Sequence, residues 1–265
     1  MALWTFFGLG QGKATTAWPG RGGKDGQEGV LGMPRFDAAL CVPDCRACAE
    51  ACPTAAIAEG ADGGISVDYG RCVVCQLCTE ACPTGAMRPS ADWAFGVRRR
   101  EDLVLGAELA PRTLPKTAAF RRSLHIRHVD AGSCNGCESE LRALNNPFYN
   151  LHRLGIFFTA SPRFADLLLV TGPVTHAMLE PLRATYTAMP EPRWVMALGT
   201  CAVSGGIAEG GYACGHGLEG VLPIDLYLPG CPPNPAAIIE ALLVFLDRVP
   251  QRAHGGRLRE GQRGE

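Results

Sequence analysis

Apolar and polar residues alternate in a regular way over the second half of the chain. Apolar runs of strand length are separated by longer stretches in which apolar residues recur at helical spacing. The predicted strands lie at residues 125–131, 155–161, 165–172, 193–199 and 222–230, and the predicted helices at 138–146, 176–189 and 235–249. Such alternation indicates a mostly parallel sheet that is covered by helices on both faces. We therefore predict an α/β domain over residues 124–250.

The rest of the chain divides by composition into four further segments. Residues 1–35 are rich in glycine and predict an extended arm that is ordered only when a partner holds it. Residues 36–90 contain eight of the thirteen cysteines and predict a separate small domain. Residues 91–123 have the composition of a linker, and residues 251–265 that of a flexible tail. The arginines at 98–100 and 121–122 are most simply part of a solvated linker, with docking to an acidic partner or to lipid headgroups as the alternative.

Composition narrows the class of protein. With 47% hydrophobic and 19% charged residues the chain is globular, and a net charge of -1 argues against nucleic-acid binding. The odd number of clustered cysteines does not fit a disulfide framework. The N-terminal sequence lacks the features of a signal peptide, and no apolar run approaches the length of a membrane span. We therefore expect a cytosolic chain whose reduced thiols are free to bind metal.

A short segment is repeated within the cysteine-rich region. CRACAEACPTAAI (45–57) matches CQLCTEACPTGAM (75–87) at eight of thirteen positions. With Cys72, the second copy fits the spacing C-x2-C-x2-C-x3-C-P, in which three cysteines bind one iron–sulfur cluster and the fourth binds its neighbour. The spacing thus predicts a first set of ligands, Cys41, Cys45, Cys48 and Cys82, and a second set, Cys72, Cys75, Cys78 and Cys52.

Two features qualify this prediction. Cys41 and Cys45 are separated by three residues where the pattern has two, so Cys41 is the least secure ligand. A pair of four-cysteine zinc sites is the alternative, because zinc sites also use C-x2-C pairs. Zinc sites place these pairs on separate knuckles, however, and need neither the third cysteine nor the Cys-Pro step.

Four of the remaining five cysteines follow predicted strands. Cys134 and Cys137 follow the first strand, Cys201 the fourth and Cys231 the fifth. Because loops at the carboxyl ends of parallel strands converge on one edge of the sheet, we expect these four thiols to form a third set. A thioredoxin-like dithiol at Cys134 and Cys137 would leave the other two unexplained. Zinc is not excluded by the spacing alone. Cys214 lies in a loop and is predicted to be a structural thiol, with an additional redox role or a position next to a cluster as the alternative.

Other polar residues near the third set have more than one interpretation. Glu138 follows Cys137 and is predicted to cap the next helix, with coupling of proton movement to cluster reduction as the alternative. His176 is predicted to lie at the surface or at a helix start, with a position next to the cluster as the alternative. His125 and His128 are expected on opposite faces of the first strand and not as a metal pair.

The quoted motifs resemble two known families. Residues 36–90 resemble the 2×(4Fe–4S) bacterial-type ferredoxin domain. SCNGCE, ADLLLVTGPVT, GTCAVSGG and LPIDLYLPGCPPNP, over about residues 124–247, resemble the small subunit of group 4 NiFe hydrogenases and its homologue in respiratory complex I. The complex I branch has adjacent cysteines where this chain has C-N-G-C, which favours the formate hydrogenlyase and hydrogenase-4 type. The predicted fold class is thus α/β, a flavodoxin-like parallel sheet preceded by a small α+β two-cluster ferredoxin domain.

The resemblance also implies a function. The third set would bind the cluster next to a large subunit, and three 4Fe–4S clusters would carry electrons between a donor and that subunit. The implied partners are a NiFe-hydrogenase-like large subunit, membrane-arm subunits and an electron donor subunit, with this chain on the inner face of the cell membrane. Two alternatives stay open: a related quinone or acceptor oxidoreductase without nickel, and a zinc-stapled interaction module without a redox role.

Overall fold

The computed structural model describes residues 3–20, 23–60, 64–105 and 117–251. The predicted tail lies outside these residues apart from Gln251. Two folded units are present, a small cysteine-rich unit and a larger α/β unit that follows it.

A five-stranded parallel sheet forms the centre of the larger unit. In chain order its strands are β5 (Leu124–Asp130), β6 (Ile156–Phe158), β7 (Leu167–Thr171), β8 (Trp194–Leu198) and β9 (Leu226–Leu228). Their order across the sheet is β6-β5-β7-β8-β9, and every neighbouring pair is parallel. Numbered within this unit, the order is 2-1-3-4-5, which is the flavodoxin-like arrangement. The predicted fold is confirmed, although β6, β7, β8 and β9 are shorter than their apolar runs.

Helices cover both faces of this sheet. They are α4 (Gly136–Ala143), α5 (His176–Thr187), α6 (Thr200–Ser204) and α7 (Pro235–Phe245). All residues of β7 and β8 are buried, which explains why their sequences are continuously apolar. Helix α7 is buried along its whole length, and it begins where the Asn234 side chain accepts a hydrogen bond from the Ala237 N–H. No helix in the described segments is long and apolar enough to cross a membrane.

The small unit contains two copies of one structural motif. Two antiparallel pairs frame it, β1 (Arg35–Phe36) with β4 (Met87–Arg88) and β2 (Ile57–Glu59) with β3 (Ile65–Val67). Its short helices are α2 (Ala47–Glu50) and α3 (Leu77–Ala81), which contact each other. Each helix buries one cysteine, Cys48 in α2 and Cys78 in α3. The sequence repeat is therefore also a structural repeat.

The N-terminal segment differs from the predicted extended arm. It begins with helix α1 (Leu3–Gln11). Beyond this helix the chain runs against both units, because the Thr16 N–H donates to the Phe148 carbonyl at 2.9 Å and the Gln76 side chain donates to the Gly32 carbonyl at 2.9 Å. These bonds lie within the chain and hold the segment in place.

The expectation that the arginines at 98–100 are solvated is wrong for two of the three. Arg98 is only 8% exposed. Its guanidinium donates to the carbonyls of Val244 and Phe245 and forms an ion pair with Asp247, so it satisfies the carboxyl end of α7. Arg100 forms a bidentate ion pair with Asp68 in the small unit. The residue before Arg98, Val97, pairs with Tyr227 of β9. This segment therefore joins the two units instead of loosely linking them.

We predict that Arg98→Ala lowers the free energy of unfolding by about 2 kcal/mol, since a buried, charged hydrogen-bond donor is lost and carbonyl groups at the end of α7 are left without it. The measurement is the midpoint of thermal unfolding followed by circular dichroism under anaerobic conditions. Arg99→Ala is the matched control, because Arg99 is 34% exposed and pairs only loosely with Glu101. Equal midpoints for the two variants would contradict the prediction.

Candidate iron–sulfur sites

The third cysteine set lies at the carboxyl edge of the sheet. Cys134 and Cys137 follow β5, Cys201 lies in the first turn of α6 after β8, and Cys231 follows β9. Burial raises the pKa of Cys137, and the negative charges of Glu138 and of the thiolates of Cys201, Cys231 and Cys134 raise it further. Burial likewise raises the pKa of Cys201 to about 11, with added contributions from Cys231 and Cys134. The structure thus brings these four thiols within electrostatic range of one another.

Glycines let the backbone approach these thiols closely. A Cβ atom at Gly199 would lie 2.6 Å from the sulfur of Cys137, and the φ of Gly199 is +87°, which disfavours any other residue. A Cβ atom at Gly136 would lie 3.5 Å from the sulfur of Cys134. The contact at Gly136 is of ordinary length, so it is at Gly199 that the space beside the third set depends on the absence of a side chain.

The second cysteine set lies in the small unit. Burial raises the pKa of Cys72 to about 12, with contributions from the thiolates of Cys78, Cys52 and Cys75, although the N–H of Val74 donates to its sulfur at 3.4 Å and opposes the rise. Burial also raises the pKa of Cys78 to about 11, again with Cys52 and Cys75 contributing. The structure thus places Cys52 from the first repeat among the three cysteines of the second.

The first set likewise contains one cysteine from the other repeat. Burial raises the pKa of Cys48, and the thiolates of Cys82 and Cys41 add to the effect. Cys82 comes from the second repeat. Cys41 and Cys45 both line a cleft of about 340 Å³ beside α2. The additional residue between Cys41 and Cys45 therefore does not carry Cys41 away from the set.

The fourth cysteine of each repeat has the same surroundings. The N–H of Ala56 donates to the sulfur of Cys52 at 3.3 Å, and the N–H of Met87 donates to the sulfur of Cys82 at 3.4 Å. A threonine hydroxyl lies 3.8 Å from each sulfur, from Thr54 and Thr84 respectively. Donors of this kind stabilise negative charge on sulfur and tune a bound cluster.

The donor chemistry of the three sets fits iron–sulfur clusters. Each set offers four cysteine thiols, at least one of them buried, and the first two sets also have N–H groups that donate to sulfur, which is what such clusters use. Within the described segments, no three His, Cys, Asp or Glu side chains converge tightly enough to hold a single metal ion. The thiols therefore lie near one another without closing around one ion.

The second and third sets adjoin each other where the two units meet. The thiolate of Cys75 contributes to the raised pKa of Cys231, after burial and Cys134. Arg71 forms an ion pair with Glu209, and the hydroxyl of Thr200 donates to the carbonyl of Cys72 at 2.8 Å. No local pattern in the sequence indicates these two contacts, since they join residues that are far apart in the chain.

Cys214 belongs to none of the sets. It is buried, and its thiol donates to the carbonyl of Ala208 at 2.9 Å. This is the environment expected of the predicted structural thiol, although Cys201 lies within electrostatic range of it.

Glu138 has partners that were not predicted. It lies in the first turn of α4, where a carboxylate is favoured. Its oxygens, however, accept hydrogen bonds from the hydroxyls of Ser133, at 2.6 Å, and of Thr171. The Nε2 atom of His128 lies 3.6 Å from the carboxylate, and burial lowers the pKa of His128 although Glu138 opposes this shift. Glu138 therefore joins a buried polar network beside the third set instead of capping the helix.

The other histidines lie where they were predicted. His125 stacks on Phe157 with ring centroids 5.6 Å apart and lies beside Asp166, so it does not share the surroundings of His128. His176 is the exposed first residue of α5.

Two family models match the chain. The model described as NADH ubiquinone oxidoreductase, 20 Kd subunit, matches residues 134–245. The model described as 4Fe-4S binding domain matches residues 65–88. The first covers the third cysteine set, and the second covers the second repeat of the small unit.

Among the relatives that match the chain, three do so over about half its length. It is 47% identical over 123 residues to the uncharacterized protein MJ0516 of Methanocaldococcus jannaschii, covering 46% of this chain and 82% of the relative. It is 39% identical to the probable membrane-bound hydrogenase subunit mbhJ of Pyrococcus furiosus, covering 51% of this chain and 80% of the relative. It is 40% identical to formate hydrogenlyase subunit 7 of Escherichia coli, covering 51% of this chain but 53% of that subunit.

Solved structures that match the chain include one of the membrane-bound sulfane sulfur reductase, an archaeal respiratory membrane complex, at 33% identity with a TM-score of 0.45, covering 54% of this chain and 81% of that one. An NAD+-reducing [NiFe]-hydrogenase matches at 23% identity with a TM-score of 0.40, covering 52% of this chain and 99% of that one. Since the relatives from M. jannaschii and P. furiosus are matched over about four fifths of their length at 39–47% identity, the chain belongs to the family of the 20 kDa subunit of NADH ubiquinone oxidoreductase.

Proposed function

We propose that this chain is the iron–sulfur electron-transfer subunit of a membrane-associated group 4 NiFe hydrogenase complex of the formate hydrogenlyase type. The observation that carries the proposal is the convergence of Cys134, Cys137, Cys201 and Cys231 at the carboxyl edge of a flavodoxin-like sheet, in a chain that also contains a 4Fe-4S binding domain. The names of two relatives, a formate hydrogenlyase subunit and a probable membrane-bound hydrogenase subunit, give the class of complex.

The proposal assigns three 4Fe–4S clusters to the three cysteine sets. Each cluster, when bound, accepts and releases one electron. The first set is Cys41, Cys45, Cys48 and Cys82, the second is Cys72, Cys75, Cys78 and Cys52, and the third is Cys134, Cys137, Cys201 and Cys231. The chain supplies the thiolates, the N–H donors that stabilise them and the glycines that make room.

The electrostatic neighbours of the thiols support an order for the three sets. Cys48 of the first set contributes to the raised pKa of Cys78 in the second. Cys75 of the second set contributes to that of Cys231 in the third. The second set therefore lies between the other two, and electrons would enter or leave at the first and third.

The partners in this proposal are those that the family resemblance implies, and the order of the sets suggests where they bind. The third set would face a NiFe-hydrogenase-like large subunit, and a donor subunit would bind near the first set. Membrane-arm subunits would hold the complex at the inner face of the cell membrane, with this chain at its periphery. The C-N-G-C spacing at Cys134 and Cys137 favours a hydrogenase over the alternative, an oxidoreductase without nickel that reduces a quinone or another acceptor.

The assignment of three clusters predicts about twelve iron atoms and about twelve sulfides per chain after anaerobic purification, four of each for every four-cysteine set. Zinc without acid-labile sulfide would refute it and favour the zinc-stapled module. Cys75→Ser is expected to lose the cluster of the second set. Cys214→Ser is its matched control and is expected to keep the full iron content, because its thiol bonds only to the Ala208 carbonyl.

The third set offers a second prediction. Gly199→Ala forces a methyl group to within 2.6 Å of the sulfur of Cys137 and strains the backbone, so we expect about a third of the iron to be lost, as three equal clusters require. Iron and sulfide analysis measures the loss. Gly215→Ala is the control, because a Cβ atom there would meet nothing within 4 Å. Full iron content in Gly199→Ala would contradict the assignment of the third set.

The class of complex is tested by purifying it from its native cells through a tag on this chain. We expect a co-purifying large subunit that contains nickel, and hydrogen evolution when reduced methyl viologen is supplied. A complex that contains all of the iron but no nickel would overturn the hydrogenase proposal and favour the quinone or acceptor oxidoreductase.

A further inference from the structure

Thr200 connects the loops that carry the second and third cysteine sets. It is 1% exposed and directly precedes Cys201. Its hydroxyl donates to the carbonyl of Cys72 at 2.8 Å and accepts a hydrogen bond from the N–H of Gly230 at 3.1 Å. Its own N–H donates to the carbonyl of Gly230 at 2.9 Å.

The Thr200 hydroxyl donates one hydrogen bond and accepts another. A threonine hydroxyl has a single proton and two lone pairs. The hydroxyl donates its proton in a hydrogen bond to the Cys72 carbonyl. The Gly230 N–H must therefore donate to a lone pair of the hydroxyl oxygen. Both distances lie in the normal range for hydrogen bonds. The position of the hydroxyl is therefore determined from both sides.

The bonds also make a short route between two ligand sets. Cys72 is itself a residue of the second set, Thr200 is covalently joined to Cys201, and Gly230 is covalently joined to Cys231. One side chain thus links a backbone atom of the second set to the backbone of two residues of the third. Electron tunnelling falls off more slowly through covalent and hydrogen bonds than through empty space.

We propose that the hydroxyl of Thr200 bridges the second and third cysteine sets and speeds electron transfer between the groups they bind. The inference rests on the proposed function, because it requires a cluster at each set. One electron leaves the group at one set and reduces the group at the other. The Thr200 hydroxyl keeps its proton throughout.

The test compares three variants of the full chain, purified anaerobically. Thr200→Val removes the hydroxyl at nearly constant volume, whereas Thr200→Ser keeps it. Ser204→Ala is the matched control, because Ser204 is a buried hydroxyl in the same short helix that bonds only within its own region, to the carbonyl of Thr200 and the N–H of Gly206.

Three measurements distinguish an effect on the electronic coupling between clusters from an effect on the distance between them. Iron and sulfide content shows whether all clusters are present. The magnetic splitting in the electron paramagnetic resonance spectrum of the fully reduced chain reports the distance between clusters. Flash photoreduction with less than one electron per chain, followed by freeze-quenching, gives the rate at which the electron redistributes among them.

We expect Thr200→Val to redistribute the electron more slowly than the wild type while its iron content and magnetic splitting are unchanged. Thr200→Ser and Ser204→Ala should match the wild-type rate. A wild-type rate in Thr200→Val would overturn the proposal, and so would a slower rate that is accompanied by altered splitting, since the hydroxyl would then only set the spacing.

Loss of clusters from a variant is interpreted separately from a change in the rate. If Thr200→Val loses iron, Thr200→Ala is measured instead. Unlike valine, alanine places no methyl group where the hydroxyl was. Cluster loss in both variants would overturn the proposal, since the hydroxyl would then serve assembly. Absence of iron and sulfide from the wild-type chain would instead refute the proposed function.

Discussion

Thiols that meet in a buried place cannot all be ionised unless a positive charge offsets their burial and their mutual repulsion, and this constraint is the one on which the rest of the structure depends. Burial and neighbouring thiolates raise the pKa of Cys72 to about 12 and those of Cys78 and Cys201 to about 11. At neutral pH these thiols are protonated unless a positively charged group lies between them. A bound iron–sulfur core would supply that charge, and binding would release protons. Folding of the small unit and formation of the junction are therefore expected to be coupled to cluster binding.

The scaffold holds the thiols together in spite of this repulsion. The central strands β7 and β8 are buried along their whole length, β8 leads directly into the turn that carries Cys201, and α7 is buried along its whole length as well. Dense packing of this kind resists displacement of the loops that it carries. At the junction, Arg71 with Glu209 and Thr200 with Cys72 hold the small unit against the edge of the sheet. The two units thus behave as one support for a line of three cysteine sets.

Much of this arrangement could be predicted from the sequence, because the signals are local. Apolar runs alternate with helical stretches and indicate the parallel sheet, and cysteines directly after strands indicate convergence at its edge. The repeat likewise indicates the exchange of Cys52 and Cys82 between the first two sets. These predictions need only spacing and the known behaviour of parallel strands.

The remaining features could not be predicted, because their partners are distant in the chain. Arg98 looks like part of a solvated basic run, yet it bonds to the carbonyl of Val244, 146 residues away. Thr200 bonds to Cys72 across 128 residues. Glu138 is in a position that favours capping, but the fold brings the hydroxyl of Thr171 to its carboxylate. In each case the tertiary structure, not the local pattern, chooses the partner.

The central claim is that the chain holds three clusters in a line, with the second set between the first and the third. The most direct test is a crystal structure of the anaerobically purified chain with anomalous diffraction recorded at the iron absorption edge. The account predicts three anomalous peaks, one within each cysteine set, with the peak at Cys72 and Cys75 in the middle. Absence of a peak at Cys134, Cys137, Cys201 and Cys231, or peaks that appear at the zinc edge instead, would contradict it.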